Sequence, residues 1–183
     1  MAVLTVNGVT YTVTENISLM SFLRDTLRLA SVKNGCNEGA CGTCTVLIDG
    51  KAVKACVQKT DKLDGKSILT AEGLSDKERA IYVYAFSKAG AVQCGFCIPG
   101  MVICAKALLD RNPNPTRDAV KSAIKNNLCR CTGYKKIEEA ILLAAEMFRN
   151  GAVPEKSVDT GILGESTVRV DAEAKITGTA MYA

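Results

Sequence analysis

Nine cysteines stand in a chain of 183 residues that contains no histidine. Eight of them fall into two groups of four, and the chemistry they offer is that of thiolate. Cys36, Cys41, Cys44 and Cys56 form C-x4-C-x2-C-x11-C, opening in the run GCNEGACGTC. Glycines at 35, 39 and 42 let the backbone curl tightly, so that several N–H groups can aim at sulfur and stabilise its negative charge. C-x4-C-x2-C followed by a distant cysteine is the plant-type [2Fe–2S] spacing. A structural zinc site is the alternative. Cys94, Cys97, Cys129 and Cys131 make the second group. Its C-x-C pair is unusual for zinc, which favours a wider spacing between paired cysteines. Cys94 and Cys97 precede a helix expected to begin near Pro99, and Cys129 and Cys131 precede the last long helix. Two helix N-termini would then face one site, and their positive dipole ends favour thiolate. Cys104 is left over; it shares an apolar helix side with Leu108 and is expected to be a small buried hydrophobe, not a ligand.

The missing histidine removes Cys/His zinc fingers, Rieske centres, histidine-ligated haem and imidazole catalysis. Cysteines in odd number, without a signal-peptide pattern at MAVLTVNGVT, argue against a disulfide framework. No apolar run approaches a membrane span, so a cytoplasmic protein without a membrane role is expected. Aromatic residues make up 5% and tryptophan is absent, which disfavours base stacking; nucleic acid is not an expected partner. The formal charge of +4 is offset if each oxidised cluster with its thiolates carries about −2. Lys33, Arg130, Lys135 and Lys136 lie close in sequence to the cysteines and are candidates for compensating that charge; for Lys135 and Lys136 a solvated lysine face is an equal alternative.

The elements that must position these groups are legible in outline. Residues 2–13 alternate around Asn7-Gly8, a type I′ hairpin signal. Ser18 caps a helical pattern through Leu19, Phe22, Leu23 and Leu27. TVLIDGKAVKAC reads as a second hairpin turning at Asp49-Gly50, and Ser67–Thr70 as a short strand. These form a small α+β domain over residues 1–74. Helices follow at 76–88, with a cap at Ser75 and an apolar face through Ala80, Val83 and Tyr84, then from Pro99 to about 110, at 116–126 and at 136–150. Residues 75–150 are therefore expected to form an all-α four-helix domain with cysteines at its turns. From 151 to 183 the periodicity fades into a tail carrying VRVDAEAKITG.

GCNEGACGTC, AVQCGFCIPGM and NNLCRCTGYKKI resemble the iron–sulfur portion of the molybdenum hydroxylases, the xanthine dehydrogenase and aldehyde oxidoreductase family, over roughly residues 1–150. The resemblance implies a ferredoxin-like β-grasp domain followed by a four-helix [2Fe–2S]-binding domain. It gives one cluster to Cys36, Cys41, Cys44 and Cys56 and the other to Cys94, Cys97, Cys129 and Cys131. It also implies that Gln93 contacts a molybdopterin held by a catalytic partner chain, with Cys131 beside it. The tail 151–183 is similar to the start of the family's molybdenum-binding portion; a disordered linker is the alternative. By the same resemblance, electrons left by hydroxylation of a purine, another N-heterocycle or an aldehyde pass singly through the helical-domain cluster. They then reach the β-grasp cluster and a flavin or external acceptor, the FAD arriving on a further subunit where one exists. A free two-cluster ferredoxin-type carrier is the alternative function, and a zinc-stabilised binding module the third.

Overall fold

A computed structural model describes residues 1–152, 154 and 169–182. The first hairpin forms as β1 (Ala2–Val6) and β2 (Val9–Val13), and the second as β3 (Thr45–Ile48) and β4 (Lys51–Lys54). Both turns place a polar residue and a glycine at positive φ: 50° and 84° at Asn7-Gly8, 48° and 76° at Asp49-Gly50. That pair of left-handed residues gives the turn a twist matching the strands. With β5 (Ser67–Leu69) the strands form one mixed sheet of order β2-β1-β5-β3-β4. β1 and β5 run parallel, and every other pairing is antiparallel.

The expected first helix is only partly regular. Ser18 accepts the Ser21 N–H at 3.0 Å and starts α1 (Leu19–Ser21). Phe22–Thr26 then widens into a π turn, closed by Leu27 N–H to the Phe22 carbonyl. The buried residues come as adjacent pairs, Leu19/Met20 and Phe22/Leu23. A wider turn is a known way to re-aim side chains within a helix.

Four longer helices follow: α2 (Asp76–Lys88), α3 (Ile98–Leu109), α4 (Arg117–Ile124) and α5 (Lys135–Asn150). A reciprocal capping box at Ser75 and Glu78 starts α2. The face of α2 that packs inward differs from the expected one. Ile81, Tyr82, Ala85 and Phe86 are buried, whereas Ala80, Val83 and Tyr84 are only half-buried. Apolar residues nearly encircle this helix, so its own pattern does not choose a face; the neighbouring helices do.

Two apolar cores result. One lies under the sheet around Leu4, Leu23, Val46 and Ile68, and the other among the helices around Phe86, Met101, Ile137 and Ile141. Strand β3 serves both, since Val46 belongs to the first and Leu47 to the second. Side chains alternate across a strand, so β3 lies between the cores. The boundary expected at residue 74 falls between β5 and α2, while helix α3 packs directly against β3. Of the tail 151–183, residues 153, 155–168 and 183 lie outside the described residues. Within the rest, α6 (Ala172–Thr177) packs on α2 and α3. Among the described residues no helix is long and apolar enough to cross a membrane.

Candidate metal centres

The loop from Gly35 to Cys44 is shaped by backbone that few side chains tolerate. Asn37, Gly39 and Gly42 have φ of 57°, 80° and 72°. At Gly35 an added Cβ would lie 2.9 Å from the Cys41 sulfur, so only glycine lets the chain pass so close. Lys54 of β4 reaches back to donate to the Gly39 carbonyl at 2.5 Å. Thr43 Oγ1 lies 3.2 Å from Cys41 Sγ and donates to the Lys33 carbonyl at 3.1 Å. The Cys41 N–H points at Cys36 Sγ at 3.3 Å. Backbone N–H groups of Cys41 and Glu38 pull the Cys36 thiol down to about 6. Cys44 shows the reverse, since burial pushes its thiol up to about 11. Cys56 sits in the tight turn after β4 and its thiol meets that of Cys44.

The second loop system is built from two chain segments. Cys97 occupies the N-cap position of α3, so its backbone sits at the positive end of that helix. Cys129 and Cys131 lead into α5 through a tight turn in which Tyr134 has a φ of 68°. Tyr134 Oη accepts the Cys129 N–H at 2.9 Å and donates to the Asn127 carbonyl at 3.1 Å, which fixes this turn. Cys131 Sγ lies 3.6 Å from Cys94 Sγ, and the Cys97 and Cys129 thiols meet. Burial pushes Cys97 up; Cys129 is also penalised by burial, but the Thr132 hydroxyl and N–H pull it down overall.

All nine cysteines are free thiols. The eight expected ligands approach one another in pairs: Cys36 with Cys41, Cys44 with Cys56, Cys94 with Cys131, and Cys97 with Cys129. Among the described residues no three Cys, Asp or Glu side chains converge on one ion. A two-iron cluster takes two thiolates per iron. Each site thus gathers four thiols, in two close pairs that also sense each other across the site, a donor set that a [2Fe–2S] unit fits.

Cys104 is buried, and its thiol donates to Asn127 Oδ1 at 3.1 Å. None of the eight expected ligands is among its hydrogen-bond partners. Gln93 and Cys131 are both exposed. Of the four cations considered for charge compensation, Lys33 is buried with its ammonium on the Gly178 carbonyl at 3.0 Å, while Arg130, Lys135 and Lys136 are exposed.

Asn127 was not singled out by the sequence. Its side chain is 4% exposed and donates to the Gly42 carbonyl at 2.9 Å. Next to it, the Leu128 N–H donates to the Cys41 carbonyl at 2.8 Å. The two cysteine loops are thus hydrogen-bonded to each other through residues adjoining Cys41 and Cys129. The sequence signals were a polar residue among Ile124, Leu128 and Cys129 and its place in NNLCRCTGYKKI, with no hint of its partner 85 positions away.

Two family profiles match the chain, a 2Fe-2S iron-sulfur cluster binding domain over residues 6–88 and a [2Fe-2S] binding domain over residues 70–142. The nicotinate dehydrogenase small FeS subunit of Eubacterium barkeri is 46% identical over 136 residues, which are 74% of this chain and 87% of that subunit. The crystal structure of the aldehyde oxidoreductase from Desulfovibrio desulfuricans superposes with a TM-score of 0.88 at 39% identity. That match covers 99% of this chain but 21% of the larger protein. Quinoline 2-oxidoreductase from Pseudomonas putida 86 has a chain matched over 96% of its length, with a TM-score of 0.74 and 40% identity.

Proposed function

Because this chain belongs to the small [2Fe–2S] subunits of the molybdenum hydroxylases, we propose that it relays electrons from a molybdenum centre on a partner chain to a flavin or external acceptor. Its two binding domains imply two [2Fe–2S] clusters. Cys36, Cys41, Cys44 and Cys56 would hold one, and Cys94, Cys97, Cys129 and Cys131 the other. When bound, such clusters supply one-electron transfer, which suits a two-electron oxidation whose electrons leave one at a time.

The observation that carries this proposal is the 2.8 Å hydrogen bond from the Leu128 N–H to the Cys41 carbonyl. Leu128 is bonded to Cys129, so one hydrogen bond and the backbone of one residue separate two expected ligand residues of different sites. Asn127 and Gly42 add a second bridge beside it. Beside this crossing Gly42, Thr43, Asn127 and Cys129 are buried, while Cys41 is half-buried and the Leu128 side chain is exposed. Exposure is placed at the other end: Cys94, Cys131 and Gln93 face outward, which suits contact with a partner-held molybdopterin. Gln93, by resemblance, contacts that pterin. The names of the relatives point to an N-heterocycle or aldehyde substrate, with purines in the same class of electron-poor ring.

The test is rapid-freeze electron paramagnetic resonance on the anaerobic complex mixed with nicotinate, a purine or an aldehyde. Two distinct [2Fe–2S] signals growing in with substrate oxidation are expected. A single such signal, or two that only an added small reductant can raise while the partner chain turns over substrate, would refute the relay.

A further inference from the structure

The segment from Arg169 to Tyr182 lies across the loop that carries Cys94, touching four consecutive residues there. Lys175 Nζ donates to the Gln93 carbonyl at 3.1 Å. Tyr182 Oη donates to the Cys94 carbonyl at 3.0 Å. The Lys175 stem packs on Gly95, where an added Cβ would lie 2.6 Å from Lys175 Cβ and Cγ. The Tyr182 ring meets Phe96 edge-on, with centroids 5.4 Å apart. Two further contacts fasten the far side. Lys33, itself buried, donates to the Gly178 carbonyl and lies 5.0 Å from the Tyr182 ring centroid. Gly178, at a φ of 84°, turns so closely against Ser31 that no side chain fits between them.

The strap's formal charges balance, Arg169 and Lys175 against Asp171 and Glu173, so what matters is where each one sits. Asp171 pairs with both Arg169 and Lys175, the latter at 2.8 Å. Glu173, the second carboxylate, is exposed on α6 and is not part of that pairing. Lys175 is the member turned inward, with a side chain only 15% exposed against about half for Arg169 and Asp171. A cation at that depth is weakly screened by solvent. It stands one residue from a cysteine expected to carry part of an anionic cluster, whose reduction adds one more negative charge.

We propose that Lys175, delivered by the C-terminal strap and seated by Tyr182, is a potential-setting residue for the cluster on Cys94, Cys97, Cys129 and Cys131. This rests on the two-cluster function proposed above. A nearby positive charge stabilises the reduced, more negative cluster and so raises its midpoint potential. Lys175→Met keeps the stem and removes the charge. Asp171→Asn does the opposite, leaving the two cations uncompensated at an exposed position. Lys175→Arg retains the charge.

The experiment is a redox titration of the native complex, monitored by electron paramagnetic resonance. The two signals are assigned by the one that Cys131→Ser perturbs. In Lys175→Met the reduced-to-oxidised ratio of the second cluster at fixed potential should fall about five- to tenfold, ~40–60 mV at about 59 mV per tenfold for one electron. The first cluster should hold its midpoint. Asp171→Asn should raise the second midpoint, and Lys175→Arg should restore the native value. Unmoved midpoints in both charge-changing variants, or an equal drift of both clusters, would overturn the proposal. Should Lys175→Met lose the second cluster, Asp171→Asn decides alone: a selective rise supports the assignment and no change overturns it. A wild-type complex lacking a second [2Fe–2S] signal would instead overturn the two-cluster function, and the inference with it.

Discussion

Replacing Asn127 by alanine should loosen the junction between the two cysteine loops. The amide donates to the Gly42 carbonyl at 2.9 Å and to Thr45 Oγ1 at 3.4 Å, and accepts from Cys104 Sγ at 3.1 Å. The side chain is buried. The Gly42 carbonyl keeps the Thr45 hydroxyl at 2.6 Å as a donor, so it is not orphaned. The loss is then about three ordinary hydrogen bonds, near 1 kcal/mol for each well-formed one and less for the long contact. The small void adds a fraction of a kcal/mol. A cost of about 2–3 kcal/mol follows. If it appears in the unfolding barrier, urea-driven bleaching of the visible cluster absorbance should run roughly 30- to 150-fold faster, at about 1.4 kcal/mol per tenfold. Asn127→Asp should be worse, because one donor becomes an acceptor and a charge is buried against the Gly42 carbonyl. The neighbouring Asn126 is exposed, so Asn126→Ala should stay within about 0.5 kcal/mol. An Asn127→Ala rate within about twofold of the native rate would refute the assignment of this amide as the bridge.

Gly42→Ala should be more damaging still: at φ 72° its Cβ would run into the Asn126 carbonyl and lie 3.0 Å from Asn127 Cα; a cost above ~2 kcal/mol and reduced iron content are expected, read by urea denaturation and metal analysis. Cys104→Ala should leave iron per chain at the native value, since this thiol meets Asn127 and no expected ligand is among its partners; loss of iron would reassign it as a ligand. Glu78 joins α2 to α3 through Lys106 at 2.5 Å. Burial alone would raise its carboxyl, but Lys106 and the Ser75 hydroxyl and N–H bring it below the usual value. A depressed carboxyl contributes stability that is present above its unfolded pKa and lost as pH falls through the folded one. Glu78→Gln should therefore cost about 1–2 kcal/mol at neutral pH and flatten the acid limb of a stability-versus-pH curve; an unchanged limb contradicts the pairing.

Local chemistry explains which parts of the fold were legible. Asn7-Gly8 and Asp49-Gly50 announce their turns because few other pairs accept two positive φ values. Ser75 and Thr116 announce helix starts because each hydroxyl accepts an N–H of the first turn, at Glu78 and Ala119. The cysteine loops were legible for the same reason, since their spacing is set by how far a short loop can reach. What stayed hidden depends on distant partners. The buried face of α2 was misjudged because Val83 and Tyr84 are as apolar in sequence as Ile81 and Phe86. The π turn at Phe22–Thr26 and the amide of Asn127 answer to packing that no local window contains. Lys175 lies 82 positions from the carbonyl it meets.

The most direct test of the two-cluster relay is a count of iron, acid-labile sulfide, zinc and molybdenum on the natively purified complex, kept anaerobic throughout. About four irons and four sulfides per chain, with molybdenum in the partner and no stoichiometric zinc, is the expected result. Zinc in place of iron, or about two irons per chain with Cys94, Cys97, Cys129 and Cys131 still titrating as free thiols, would contradict it.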